Sequence, residues 1–254
     1  MHGPATSLNT QTPSLQPPAA RVGLIIPSVN TLSEPQFNHY APAGLAMHVA
    51  RARVAGEWRR PFPELRGEIA AAAERLSDCK PDLIVFHCTD TSMAEGPQGE
   101  GRILDLIRSA TGVDALSTSA LVLEALQALG LRKLVVLSPY RSNASIVSYL
   151  QAVGLHVVHE VALGLTGLEF PNVTPREWIE LARQHDRPEA DGIFLSCTNT
   201  RQIEAIEEIE RELGKPVVNS NQAVLWGCVK RLQSRLGGAA ADAPLGRLMQ
   251  SLAA

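Results

Sequence analysis

The chain has 254 residues, 45% of them apolar, which at roughly 100 to 200 residues per domain makes one large domain or two small ones with material for a core. Lys plus Arg number 23 against 26 Asp plus Glu, a formal charge of -3, so no basic field marks nucleic acid or an anionic membrane as a partner. No run approaches the roughly 18 apolar residues of a membrane span, and the N-terminus has neither a basic n-region nor an apolar h-region, so a cytoplasmic location is expected.

Met1 to Ala20 is rich in Pro, Ser, Thr and Gln without an apolar period, a composition that predicts a disordered tail over residues 1–20. Val22-Gly-Leu-Ile-Ile26 then reads as a buried parallel strand, and Asp82–Phe86, Lys133–Leu137 and Asp191–Leu195 repeat the type. Helical patterns follow each. Ala-rich Glu68–Leu76 is a packing helix, Thr174-Pro-Arg-Glu177 is a capping box with Pro at the first helical position, and Gly130, Gly154 and Gly214 close helices. Gly96-Pro-Gln-Gly-Glu-Gly101 lacks the spacing of a phosphate loop and reads as a mobile loop near Cys88. Alternating strand and helix predicts a doubly wound α/β fold.

An internal echo organises these elements. Val22–Asn30 resembles Leu134–Ser142 at an offset of 112, and Ile84-Val-Phe-His-Cys-Thr-Asp-Thr91 resembles Ile193-Phe-Leu-Ser-Cys-Thr-Asn-Thr200 at an offset of 109. A looser match relates Ser117–Leu121 to Asn219–Val224, in the same order. Two similar parallel-sheet half-domains about a pseudo-two-fold axis are expected, an N-terminal half over residues 21–116 and a C-terminal half over 117–220. A C-terminal helix over residues 221–254 is expected to pack back on the first. Equivalent strand ends would then face one cleft, where α/β proteins bind ligands.

That arrangement sets Cys88 opposite Cys197. Each follows an apolar strand and opens a turn, so each is expected to be exposed, and the N–H groups of a following helix lower a thiol from its usual pKa near ~8.5. Two facing thiols, one ionised and one protonated, can move a proton between the faces of a carbon acid, or one can add to an activated double bond while the other supplies the proton. Cys79 and Cys228 read as small core residues. The four cysteines include no C-x-x-C pair and no histidine at ligand spacing, so neither a metal site, a cofactor nor a disulfide framework is expected. Thr89 and Thr198 offer backbone and hydroxyl donors to a carboxylate or enolate, and Asn30 lies just past a strand end. Asp90 would raise a neighbouring thiol and is left out of the catalytic set; His87, next to Cys88 on a strand, points to the other face.

The Pro27-Ser-Val-Asn30 loop, the two cysteine turns, Ser138-Pro-Tyr140 and Gly214–Ser220 together resemble the aspartate/glutamate racemase superfamily, in the branch holding maleate cis-trans isomerase and arylmalonate decarboxylase. The resemblance runs from Arg21 to Leu236. It implies a cofactor-independent enzyme in which Cys88 is the nucleophile and Cys197 the proton donor, with Asn30 and Tyr140 at carboxylate-binding positions. The decarboxylase is similar but has glycine where Cys88 stands, which favours an isomerase or racemase of a small carboxylate. Arg51-Ala-Arg53 looks like the isomerase's Arg-x-Arg strand, whereas Leu165-Thr-Gly-Leu-Glu-Phe170 is closer to the decarboxylase. The alternatives are an arylmalonate-type decarboxylase, a hydantoin or amino-acid racemase, and, outside catalysis, a two-lobed small-ligand binding protein. Self-association into a homo-oligomer stays open.

Overall fold

The computed structural model describes residues 17–54, 60–237 and 245–252. The first half runs β1 (Ala20–Pro27), α1 (Ser33–Tyr40), β2 (Leu45–Ala52), α2 (Phe62–Ser77), β3 (Leu83–Phe86), α3 (Thr89–Ala94), α4 (Gly96–Thr111) and β4 (Ala115–Ser117). The second runs α5 (Thr118–Ala128), β5 (Lys133–Ser138), α6 (Ala144–Ala152), β6 (His156–Ala162), α7 (Pro175–His185), β7 (Gly192–Leu195), α8 (Ile206–Leu213) and β8 (Val217–Asn219). Helices α9 (Ser220–Leu236) and α10 (Gly246–Gln250) follow.

Each half is a four-stranded parallel sheet, ordered β2-β1-β3-β4 in one and β6-β5-β7-β8 in the other. The echo in the sequence is therefore an echo in topology: β1 corresponds to β5, β3 to β7 and β4 to β8, in two α/β halves related by a pseudo-two-fold axis. Strand alternation sorts the first sheet's side chains. Leu24, Ile26 and Val85 join the larger core that continues into the second half, while Ile25, Ile84 and Phe86 face α2 and α4 in a separate cluster with Ile69, Ile103 and Ile107. Gly192 opens β7 where a Cβ would sit 2.7 Å from the Pro216 carbonyl and 2.8 Å from Leu131, so only glycine lets the two backbones approach.

Several expectations are adjusted here. The tail expected over residues 1–20 lies mostly outside the described residues, which begin at 17, and β1 begins at Ala20. Gly96–Gly101 is not a loop but the start of α4, with Pro97 in its first turn. Burial of Ile103 and Ile107 and the engagement of Glu100 overcome the cost of its glycines. β4 ends at Ser117, one residue beyond the expected boundary of the first half. Helix α9 stops at Leu236, where Gly237 takes the left-handed conformation of a C-cap (φ 59°), and α10 is a separate short helix. Helix α9 lies against α5, α1 and β1, so it touches both halves. Cys79, expected in the core, is exposed in the turn after α2, whereas Cys228 is buried.

Candidate active site

Cys88 is the residue before α3 and takes the extended backbone of an N-cap (φ -150°, ψ 102°). Its carbonyl accepts from the Ser92 N–H at 3.1 Å and the Ser92 hydroxyl at 2.8 Å, closing the first turn. Its sulfur lies 3.2 Å from Thr91 Oγ1. The first N–H groups of α3 have no partner within the helix and point toward this end.

Cys197 follows β7 with φ 141°, a backbone conformation that non-glycine residues rarely adopt. The turn is held from several sides. The Cys197 N–H donates to Ser220 Oγ at 3.2 Å, and the Asn199 N–H donates to the Cys197 sulfur at 3.3 Å. The next carbonyl, that of Thr198, accepts from Asn30 Nδ2 (3.2 Å), Ser33 Oγ (2.9 Å) and Asn221 Nδ2 (3.2 Å). Asn199 Oδ1 accepts from the backbone N–H groups of Thr31 (2.9 Å) and Leu32 (3.2 Å). No α-helix begins directly after Cys197, so its thiol lacks the helix-end environment expected for it; the Asn199 N–H is the local donor instead.

Both thiols are buried, at 2% and 0% exposure, against the expectation of exposure. The two halves close over them. Ser220 ties one cysteine turn to the other, because the hydroxyl that accepts from Cys197 N–H also accepts from Thr89 Oγ1 at 2.8 Å. Burial pushes the Cys197 thiol up to about 12, against the opposing pull of the Asn199 N–H and the Tyr140 hydroxyl, and the neighbouring Cys88 and Asp90 raise it further. Tyr140 is raised well above its usual value, first by burial and then by Cys197 and Asp90. Its hydroxyl is buried without a well-formed hydrogen bond, beside the Cys197 sulfur, and its ring packs edge-on against Phe170 at 5.5 Å.

The structure thus brings all six sequence-predicted residues into one cluster: Cys88 and Thr89 from the first half, Cys197, Thr198 and Tyr140 from the second, and Asn30 across the seam. Asn30 is fully buried, with Nδ2 donating to Ser33 Oγ (2.9 Å) and Thr198 Oγ1 (3.1 Å), and Oδ1 accepting from the Ser33 N–H (2.9 Å). Arg51, on the strand that resembles the isomerase's, does not enter the cluster directly. It supports the loop, donating to the Asn30 carbonyl at 2.6 Å and pairing with Glu34. Sequence reasoning missed Ser33, Ser220 and Asn221, which have no motif of their own. Asn221 and Ser220 do lie in the third echo, the polar turn before α9.

A two-lobed α/β chain with a cysteine at the same strand end of each lobe defines a class, and the comparisons with known proteins place it more closely. The arylmalonate decarboxylase family profile matches residues 16–246. Arylmalonate decarboxylase from Bordetella bronchiseptica is 33% identical over 181 residues, 69% of this chain and 74% of that protein. Maleate isomerase from Geobacillus stearothermophilus is 24% identical over 229 residues, 84% of this chain and 91% of that protein. Among solved structures, a cysteine-to-alanine variant of maleate isomerase from Pseudomonas putida S16 with maleate superposes at a TM-score of 0.81, 22% identity, 91% of this chain and 98% of that one. Nocardia farcinica maleate cis-trans isomerase carrying a covalently bound succinylcysteine intermediate gives 0.76, 24% identity, and 91% and 98% coverage. The chain belongs to the arylmalonate decarboxylase family, and it is an enzyme.

Proposed function

We propose that this enzyme is a cofactor-independent cis-trans isomerase of a small unsaturated dicarboxylate of the maleate type. The observation that carries the reading is a pair of buried thiols in different local settings: Cys197, raised by burial and held by the Asn199 N–H, is the protonated partner, and Cys88, the residue before α3 with the Thr91 hydroxyl at its sulfur, is assigned the role of thiolate. Cys88 as thiolate adds to one alkene carbon, forming a C–S bond, and the adjacent carbon takes the Cys197 proton. The former double bond is now single and rotates. The Cys197 thiolate then removes the proton, the C–S bond breaks, and the trans alkene leaves with Cys88 again a thiolate. Asn30, Thr89, Tyr140 and Thr198 hold the carboxylates, the buried Tyr140 hydroxyl beside the Cys197 sulfur serving as a donor to one of them.

A second reading, decarboxylation of a substituted malonate, draws support from the higher identity to the decarboxylase. Loss of CO2 leaves an enediolate, and Cys197 alone protonates it. Isomer formation and proton–deuterium exchange across maleate, phenylmalonate, a hydantoin and free amino acids separate these readings. Fumarate from maleate is the expected result. Turnover of phenylmalonate alone selects the decarboxylase, and exchange of a hydantoin or amino-acid α-proton selects a racemase.

A further inference from the structure

His87 does more than pack behind its sheet. It is fully buried where the halves meet, its ring edge-on to Phe37 at 5.2 Å. Nε2 lies 3.0 Å from Asn221 Oδ1 and 3.1 Å from Ser33 Oγ, and Nδ1 lies 3.0 Å from Thr118 Oγ1. The proton positions follow from the network. The Thr198 carbonyl can only accept, so the Asn221 atom facing it is the amide nitrogen, and the Asn221 oxygen is the one turned to His87. Nε2 must therefore carry the hydrogen, and Nδ1 accepts from the Thr118 hydroxyl. Burial holds the imidazole neutral, down to about 3. Asn221 uses its second N–H on Gln36 Oε1, and Gln36 Nε2 donates to the Thr200 carbonyl at 2.8 Å.

We infer that His87 is a positioning residue: by fixing the Asn221 amide, it clamps the Thr198 carbonyl and holds the strained Cys197 turn in register with the Cys88 turn, to which His87 is itself the preceding residue. The inference rests on the reading of Cys197 as the proton donor. A non-glycine residue at φ 141° persists only where its surroundings over-determine it, and the clamp of Asn30, Ser33 and Asn221 supplies that constraint. Without the Nε2–H donor the Asn221 oxygen is left unsatisfied in the interior, and the side chain is driven to shift toward another donor or water, drawing its amide nitrogen off the Thr198 carbonyl. The Thr198 carbonyl then loses one of its donors and the Cys197 turn relaxes.

The test uses His87→Leu, which removes the donor, His87→Gln, which keeps a nitrogen donor near the Nε2 position, and Asn221→Asp, which faces the Thr198 carbonyl with an oxygen. Iodoacetamide alkylation of Cys197 is measured against Cys228, a buried thiol on α9 that reports general opening. The expected result is a Cys197-to-Cys228 ratio about threefold or more higher in His87→Leu and Asn221→Asp, and near the starting value in His87→Gln. On whichever of maleate or phenylmalonate the enzyme turns over, kcat falls about tenfold in His87→Leu with KM nearly unchanged, and the glutamine variant recovers most of it. An unchanged alkylation ratio in folded His87→Leu and Asn221→Asp overturns the inference. So does an Nδ1–H tautomer or an imidazolium in the nitrogen NMR spectrum of the unmodified enzyme, a measurement needing no variant to fold. Absence of turnover on both substrates counts against the functional reading alone, since the alkylation ratio and tautomer read the clamp independently.

Discussion

At the scale of single residues, the two thiols are set apart by their local partners, the Thr91 hydroxyl at Cys88 and the Asn199 N–H at Cys197. Cys88→Ser replaces a thiol with a hydroxyl that does not ionise near neutral pH without a strong base, so isomer formation should collapse, by about 10²-fold or more. Cys197→Ser should be as damaging, and should also stop decarboxylation, because it removes the proton donor common to both reactions. Cys88→Gly is the discriminating change: it abolishes isomerisation but preserves phenylmalonate turnover if Cys197 alone does the chemistry. Product analysis of the three purified variants decides between these outcomes. Alkylation adds an independent reading. Cys79 is exposed and should react first, ahead of every buried thiol. Cys88 should follow, slowed by added maleate. Cys228, also pushed up to about 12 by burial, should lag. Peptide mapping over time checks the order, and Cys88 reacting no faster than Cys228 would remove the case for a thiolate there.

At the scale of elements, β7, which leads into the Cys197 turn, depends on Gly192 at its start. A methyl group there meets the backbone of Pro216, which cannot swing aside, so Gly192→Ala should destabilise the fold by about 1–3 kcal/mol in a urea titration. A loss of stability within error of zero would mean that β7 and β8 can separate freely. The central strands were legible in the sequence because β1, β3, β5 and β7 are continuous apolar runs, and the capping box at Thr174 and Glu177 forms as read. The three-residue strands β4 and β8 were not, since Ala115–Ser117 and Val217–Asn219 are too short to show a period. Helix α4 was hidden by its glycines. What anchors it is tertiary: the buried Glu100 carboxylate accepts from the Ser119 hydroxyl (2.6 Å), the Ala120 N–H (3.0 Å) and the Tyr149 hydroxyl (2.9 Å) on α6. The same limit applies to the site. Repetition exposed the cysteine turns, but His87 and Asn221 meet across 134 positions, and no local pattern announces a hydrogen bond at that separation.

At the scale of the whole molecule, the groups buried at the seam set how stability responds to pH. Protonating folded His87 means charging a fully buried group, and burial depresses it to about 3 from the usual 6.5, with the Asn221 hydrogen bond opposing the shift only in part. Between those values the unfolded chain binds a proton that the folded chain refuses, so stability is full above about pH 6.5 and drains away as the pH falls toward 3, a loss of several kcal/mol. Glu210 works in the opposite direction, because burial raises its carboxyl and protonation relieves the folded state. It softens the acid limb without reversing it, since its carboxylate keeps the Val217 and Arg247 N–H groups as donors. On the alkaline side Cys197 and Cys228 act first, with the buried Tyr140 and Tyr149 adding to the loss above pH 10. Both thiols stay protonated to about 12 in the fold but ionise near 9 once exposed, so stability declines above pH 9. Urea midpoints should therefore trace a plateau between about pH 6.5 and 9, falling on both sides. His87→Gln cannot titrate, and its plateau should extend to lower pH. Retention of the full acid slope in that variant would show that some other group sets it.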